Sequence, residues 1–167
     1  MRWLLVLGLA VACDRVPEPP ATEVELELGS APAAGFGFTD MPGVATLMPG
    51  SQGGFHVWLS YRVKGAQGEV KASHTVRRES DGKLLSRGER RLEVSAEGDA
   101  GWWQSEAATP AFLCPTPLGV SVIDVPAVFQ VVLTGEDGAE LATQQAKTQL
   151  QCPTDGQAEF CQQICKG

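Results

Sequence analysis

The side chains best suited to chemistry in this 167-residue chain are five cysteines, two histidines and four tryptophans. The cysteines stand at 13, 114, 152, 161 and 165, and the histidines at 56 and 74. Zinc chemistry would call for a helical His-Glu-x-x-His or paired cysteines at ligand spacing, and neither occurs. A blue-copper centre needs a histidine beyond its cysteine, and none follows Cys114. Gly50-Ser51-Gln52-Gly53 follows Pro49 with no strand-to-helix turn, so it is no nucleophile elbow. Gly35-Phe36-Gly37 lacks the third glycine and the strand–helix context of a dinucleotide loop. No Walker sequence or EF-hand loop is present. Neither a metal, nor a cofactor, nor a catalytic residue is expected.

The cysteines divide unevenly. Arg2 precedes an uncharged, largely apolar run from Trp3 to Ala12, with Asp14 and Arg15 close behind. That run is too short for a membrane-spanning helix, which needs about 20 such residues, and it reads as a signal peptide over residues 1–12. Leu9-Ala10-Val11-Ala12-Cys13 resembles the lipobox of bacterial lipoproteins, with Ala10 where leucine is most usual. The resemblance implies cleavage before Cys13 and a diacylglycerol on its thiol. It further implies a protein held on a membrane of a Gram-negative cell envelope, facing the periplasm or the cell surface, by more than one acyl chain. With Cys13 so used, Cys114, Cys152, Cys161 and Cys165 remain, an even number that reads as two disulfides in an exported chain.

The elements that would position these residues follow from periodicity. Arg15–Thr22, with Pro17, Pro19 and Pro20, reads as an extended tether, so residues 13–22 join the lipid to a domain. From there the apolar period is 2. Val24, Leu26 and Leu28 alternate with glutamates, and Phe55, Val57, Leu59, Tyr61 and Val63 alternate with polar residues and Trp58. Leu92 and Val94 alternate again, and further strands are expected over 70–79, 83–86, 128–134 and 139–150. Ser80-Asp81-Gly82 and Glu136-Asp137-Gly138 supply turns whose residues tolerate positive φ. The expectation is an all-β protein, an immunoglobulin-like β-sandwich over residues 23–153. A short disulfide-stapled helical tail follows at 154–167, capped by Thr154 or Asp155. Helical spacing puts the Cβ atoms of Cys161 and Cys165 about 5–6 Å apart, against the roughly 3.5–4.5 Å of a disulfide. Each is therefore expected to bond to the sandwich, to Cys114 and Cys152 in either order.

Charge and aromatics suggest where a partner could bind. Thirteen basic against twenty acidic residues argue against nucleic acid. Yet residues 62–91 hold nine Lys or Arg against four acids. Arg77, Arg78, Arg90 and Arg91 could thus form a patch for an anionic envelope component, such as an anionic lipid, or simply pair with acidic strands. His56 and Trp58 share one face of a strand and, were that face open, could form a ligand patch with Trp102 and Trp103. The null alternative is a Trp58 that caps one end of the sandwich and a His56 bonded to a neighbouring loop. The string Gln52-Gly53-Gly54-Phe55-His56-Val57-Trp58 resembles a stretch of predicted lipoproteins of Myxococcus-like bacteria, which implies envelope location and a β fold. Function is expected to be non-catalytic: a lipid-anchored module binding an envelope protein, glycan or lipid, or else a structural or assembly accessory. An envelope hydrolase is the remaining alternative.

Overall fold

The computed structural model describes residues 23–32, 35–95 and 98–167; the expected signal peptide, Cys13 and tether lie outside the described residues. The elements in chain order are β1 (Glu25–Ser30), β2 (Thr39–Asp40), β3 (Val44–Thr46), β4 (Met48–Pro49), β5 (Phe55–Lys64) and β6 (Gly68–Arg78). They continue as β7 (Leu84–Val94), β8 (Trp102–Gln104), β9 (Thr109–Cys114), β10 (Pro126–Thr134), β11 (Glu140–Gln151) and α1 (Ala158–Cys165). Two sheets pack face to face. One is built on β5, with β1 and β4 pairing successive stretches of one edge and β9 and β8 the other. The second runs β3-β11-β10-β6-β7, antiparallel except for β3 beside β11. The β-sandwich expected from alternation is therefore the fold. Among the described residues no helix is long and apolar enough to cross a membrane.

Alternation explains the core. The odd-numbered residues of β5 from Phe55 to Val63 face Val70, Val76, Leu92, Phe129, Val131 and Leu133 of the other sheet, all buried. Each such side chain contributes on the order of 1.5–3 kcal/mol when fully removed from water. The Asp-Gly turns close as expected. Arg78 donates its backbone N–H to Lys83 O at 2.9 Å, and Gly135 donates to Ala139 O at 2.9 Å. Gly82 and Gly138 take φ of 69° and 81°, where a side chain would be strained.

Three local expectations need correction. Residues 83–86 and 92–94 are not separate strands but parts of the 11-residue β7. Its inward positions 86, 88 and 90 are Ser, Gly and Arg, which hides the apolar period. Gly88 is there because His74 fills the space opposite it: a Cβ at 88 would sit 2.6 Å from His74 Cε1. Gly88→Ala should thus lower the urea midpoint by the equivalent of about 1–3 kcal/mol, the usual cost of overpacking; an unchanged midpoint would refute this packing. Second, α1 starts at Ala158 behind Gln157, not behind Thr154 or Asp155. Asp155 instead accepts the Gln157 N–H at 2.9 Å, closing a turn before the helix. Third, the short strands β2, β3, β4 and β8 fall below the length at which a period of 2 is legible.

The tail is stapled through Cys114–Cys165 and Cys152–Cys161. Cys161 and Cys165 sulfurs lie 3.8 Å apart on the helix, yet each bonds to the sandwich, as the helical spacing requires. The disulfides belong to a chain that folds in an oxidising, extracytoplasmic compartment.

Candidate functional site

The four aromatic residues proposed as one patch are split into two places. His56 and Trp58 do share the outer face of β5, with ring centroids 4.4 Å apart at 82°. That face is not open, however. Phe112 of β9 lies 5.6 Å from the His56 ring. Gly50 in the β4–β5 connection comes close enough that a Cβ there would sit 3.4 Å from His56 Nδ1. Gly35, at φ 73°, approaches the Trp58 indole in the same way, at 3.4 Å. His56 is thereby buried, and neither ring nitrogen finds a hydrogen-bond partner among the described residues. The expected exposed patch is therefore corrected to a lidded aromatic cluster, and the loop hydrogen bond foreseen in the null alternative is not made.

Trp102 and Trp103 lie at the other end. They pair with Lys64 and Val63, eight residues beyond His56, or roughly 26 Å along an extended strand. A tight turn presents them: Trp102 donates to Asp99 O at 3.0 Å, with Ala100 at φ 53° and Gly101 at φ 79°. Two positive φ values in succession define the type I′ geometry suited to hairpins. Successive strand residues point to opposite faces, so Trp103 packs on the core while Trp102 lies outside, 5.3 Å from the Arg62 guanidinium and 5.6 Å from Lys64 Nζ.

Here the two sheets leave a seam. Among the described residues, β7 pairs only with β6 and β8 only with β5, so two strand edges face each other without a strand between them. Two adjoining hollows of about 380 and 430 Å³ occupy this seam and share Ser95, Trp103 and Glu106. Their size falls in the range of small-molecule sites. Arg90, Arg91 and Glu93 border one; Arg62, Asp99, Trp102 and Gln104 border the other. Sequence reasoning singled out the tryptophans and the two arginines but missed Asp99, Glu93, Gln104 and Glu106. The legible signal was Gly98-Asp99-Ala100-Gly101, a hairpin turn directly before Trp102-Trp103.

The four arginines expected to act together do not form one patch. Arg77 bonds Gly82 O at 3.0 Å, and Arg78 clamps Asp81 at 2.6 Å, both in the β6–β7 turn. The Arg78 hydrogen bond, helped by the Lys83 N–H, holds the Asp81 carboxyl at about 2. Arg90 points inward and ties β7 to Ala107 O at 2.7 Å, bounding the seam. Arg91 points outward to Glu69 at 3.3 Å. The pairing alternative describes the basic segment better. Register sets Glu25 against Lys64 and Glu27 against Arg62, with ion pairs of 2.7 and 3.2 Å. Such exposed pairs neutralise charge but contribute only up to about 1 kcal/mol each.

Neither histidine borders the seam. His74 sits on the inner face of β6, and burial pushes the pKa of both histidines down. Tyr61 is also buried, which pushes its hydroxyl up to about 12; Thr109 lies near it, but neither hydroxyl completes a hydrogen bond. Among the described residues, Cys152, Cys161 and Cys165 are close enough to share a metal ion, but their sulfurs are taken by the two disulfides.

No protein-family model matches the sequence, and no curated protein matches it. Solved structures do align with it. A glycosyl hydrolase family 2 member from Bacteroides cellulosilyticus DSM 14838 aligns at a TM-score of 0.44 and 10% identity, over 61% of this chain and 14% of its own. A Bacteroides uniformis beta-glucuronidase aligns at 0.39 and 19% identity, over 74% of this chain and 13% of its own. This chain thus spans about one-seventh of the length of such proteins, and at these values the likeness bears on the fold alone.

Proposed function

We propose that the chain is a lipid-anchored, non-catalytic binding module of the bacterial cell envelope, with Cys13 carrying the anchor and the β7–β8 seam meeting the partner. The observation that carries this reading is the seam itself: a groove between two strand edges, bordered by two tryptophans and by side chains of both charges. The route of the chain agrees with it. β1 enters the sandwich at Glu25, opposite Lys64, which in turn pairs with Trp102. The tether of residues 13–22 is therefore rooted at the groove's end of the sandwich, and as an extended run it reaches on the order of 30 Å. A site so placed meets partners close to the membrane surface.

The anchor is tested by substitution. Cys13→Ala should move the protein from the membrane fraction to the soluble exported fraction. A variant that stays with membranes after a high-salt wash would overturn the lipid anchor.

A further inference from the structure

Resting on the binding-module reading above, we infer that the seam groove takes a neutral saccharide, with a sugar ring against the Trp102 indole and its hydroxyls shared among Glu93, Asp99, Gln104 and Glu106. Three features of the groove point to this ligand class. The first is charge. Arg62, Arg90 and Arg91 border the groove alongside Glu93, Asp99 and Glu106, three cations against three anions. The cations are already engaged: Arg62 with Glu27 at 3.2 Å, Arg91 with Glu69 at 3.3 Å, and Arg90 with the Ala107 carbonyl at 2.7 Å. An anion would have to break these pairs, and a cation would meet three guanidinium groups, so an uncharged ligand is favoured.

The second feature is the mixture of donors and acceptors. A sugar hydroxyl both donates and accepts, and this groove offers carboxylate acceptors, the Gln104 amide and the Ser95 hydroxyl within one span. The third is the aromatic surface. Trp102 stands at the tip of a tight hairpin, its ring flanked by Arg62 at 5.3 Å and Lys64 at 5.6 Å. Gly98 allows that hairpin to close, because a Cβ there would collide with the Trp102 carbonyl oxygen. A ring on a fixed turn loses little freedom on binding, which suits the weak CH–π contact of a pyranose face.

The test uses the full chain purified in detergent, titrated with short cello-, malto- and chitooligosaccharides and, separately, with an anionic oligogalacturonate. A neutral member should quench tryptophan fluorescence saturably, with an affinity that holds as salt rises, since no net charge is neutralised. Trp102→Ala should weaken it by about tenfold or more, and Trp58→Ala, in the lidded cluster, should leave it unchanged. If Trp102→Ala unfolds by circular dichroism, the exposed pair Asp99→Asn and Glu106→Gln replaces it, with a loss of similar size. Binding of the oligogalacturonate alone with steep salt dependence, or of no saccharide at all, overturns the proposal. In that event a detergent-solubilised envelope fraction is passed over the immobilised chain. Partners retained by the parent and lost with the groove variants would leave the binding-module reading standing without the sugar. Partners lost with neither would overturn both.

Discussion

Replacing Cys114 and Cys165 together by alanine is expected to cost the fold about 4 kcal/mol, the loop-closure entropy that a 51-residue separation returns to the unfolded chain. The same change at Cys152 and Cys161, whose separation is nine residues, should cost about 2.5 kcal/mol. The order is the informative part. Both bonds end on α1 and all four cysteines are buried, so the packing lost is similar in the two variants. They differ chiefly in the length of chain that the bond constrains. At roughly 3 °C per kcal/mol for a domain of this size, the melting temperature should fall by about 12 °C in the first variant and 8 °C in the second. The longer bond also closes a larger structure. Thr116 donates to Ile164 O at 3.0 Å and Val122 to Cys165 O at 3.0 Å, so the 115–122 loop is held by the helix that the disulfide docks. Hydrogen exchange at Val122 should therefore rise in the first variant. Equal melting temperatures for the two variants would contradict this account.

The second large effect is a loss of stability in mild acid. His56 and His74 are both buried, and each has at least one ring nitrogen without a partner. Burial lowers both pKa values from the ordinary 6.5. The sign follows directly. The folded chain holds fewer protons on these rings than the unfolded chain does, so stability is full above about pH 6.5 and falls as pH drops toward the folded-state values. Each ring can contribute up to about 1.4 kcal/mol per pH unit inside that window, and two rings up to about twice that. Surroundings offer no relief: His56 meets Trp58 and Phe112, and His74 lies against Gly88 with Ala72 and Val76 beside it on its own strand. Urea midpoints measured from pH 7.5 to 5 should decline in the parent chain. In a His56→Gln, His74→Gln variant they should decline much less. A variant as acid-sensitive as the parent would mean that carboxylates, not the histidines, set the slope.

How far residues alone carried the reading depends on the kind of question. Alternation from Phe55 to Val63 picks out the buried face of the central strand, because strand side chains alternate strictly and only one set can face the opposite sheet. Asp-Gly turns at 81–82 and 137–138 are legible because they need local backbone conformations that few residues tolerate. The helix spacing of Cys161 and Cys165 forbids their direct union for the same local reason, though it leaves open which sandwich cysteine each meets.

What the sequence by itself determined, then, is the class of fold, the apolar side of its long strands, the turns between them and the partition of the tail cysteines. These are properties of neighbouring residues, set by backbone sterics and period. Tertiary structure alone decided what covers the other side. His56 faces away from the core as the period demands, yet it is buried, because Gly50 and Phe112 arrive from distant positions to close over it. Arg90 and Arg91 are adjacent in sequence but serve opposite faces of β7. The seam between β7 and β8 exists because β8 and β9 divide one edge of β5 between them, a matter of pairing across some forty residues that no local pattern encodes.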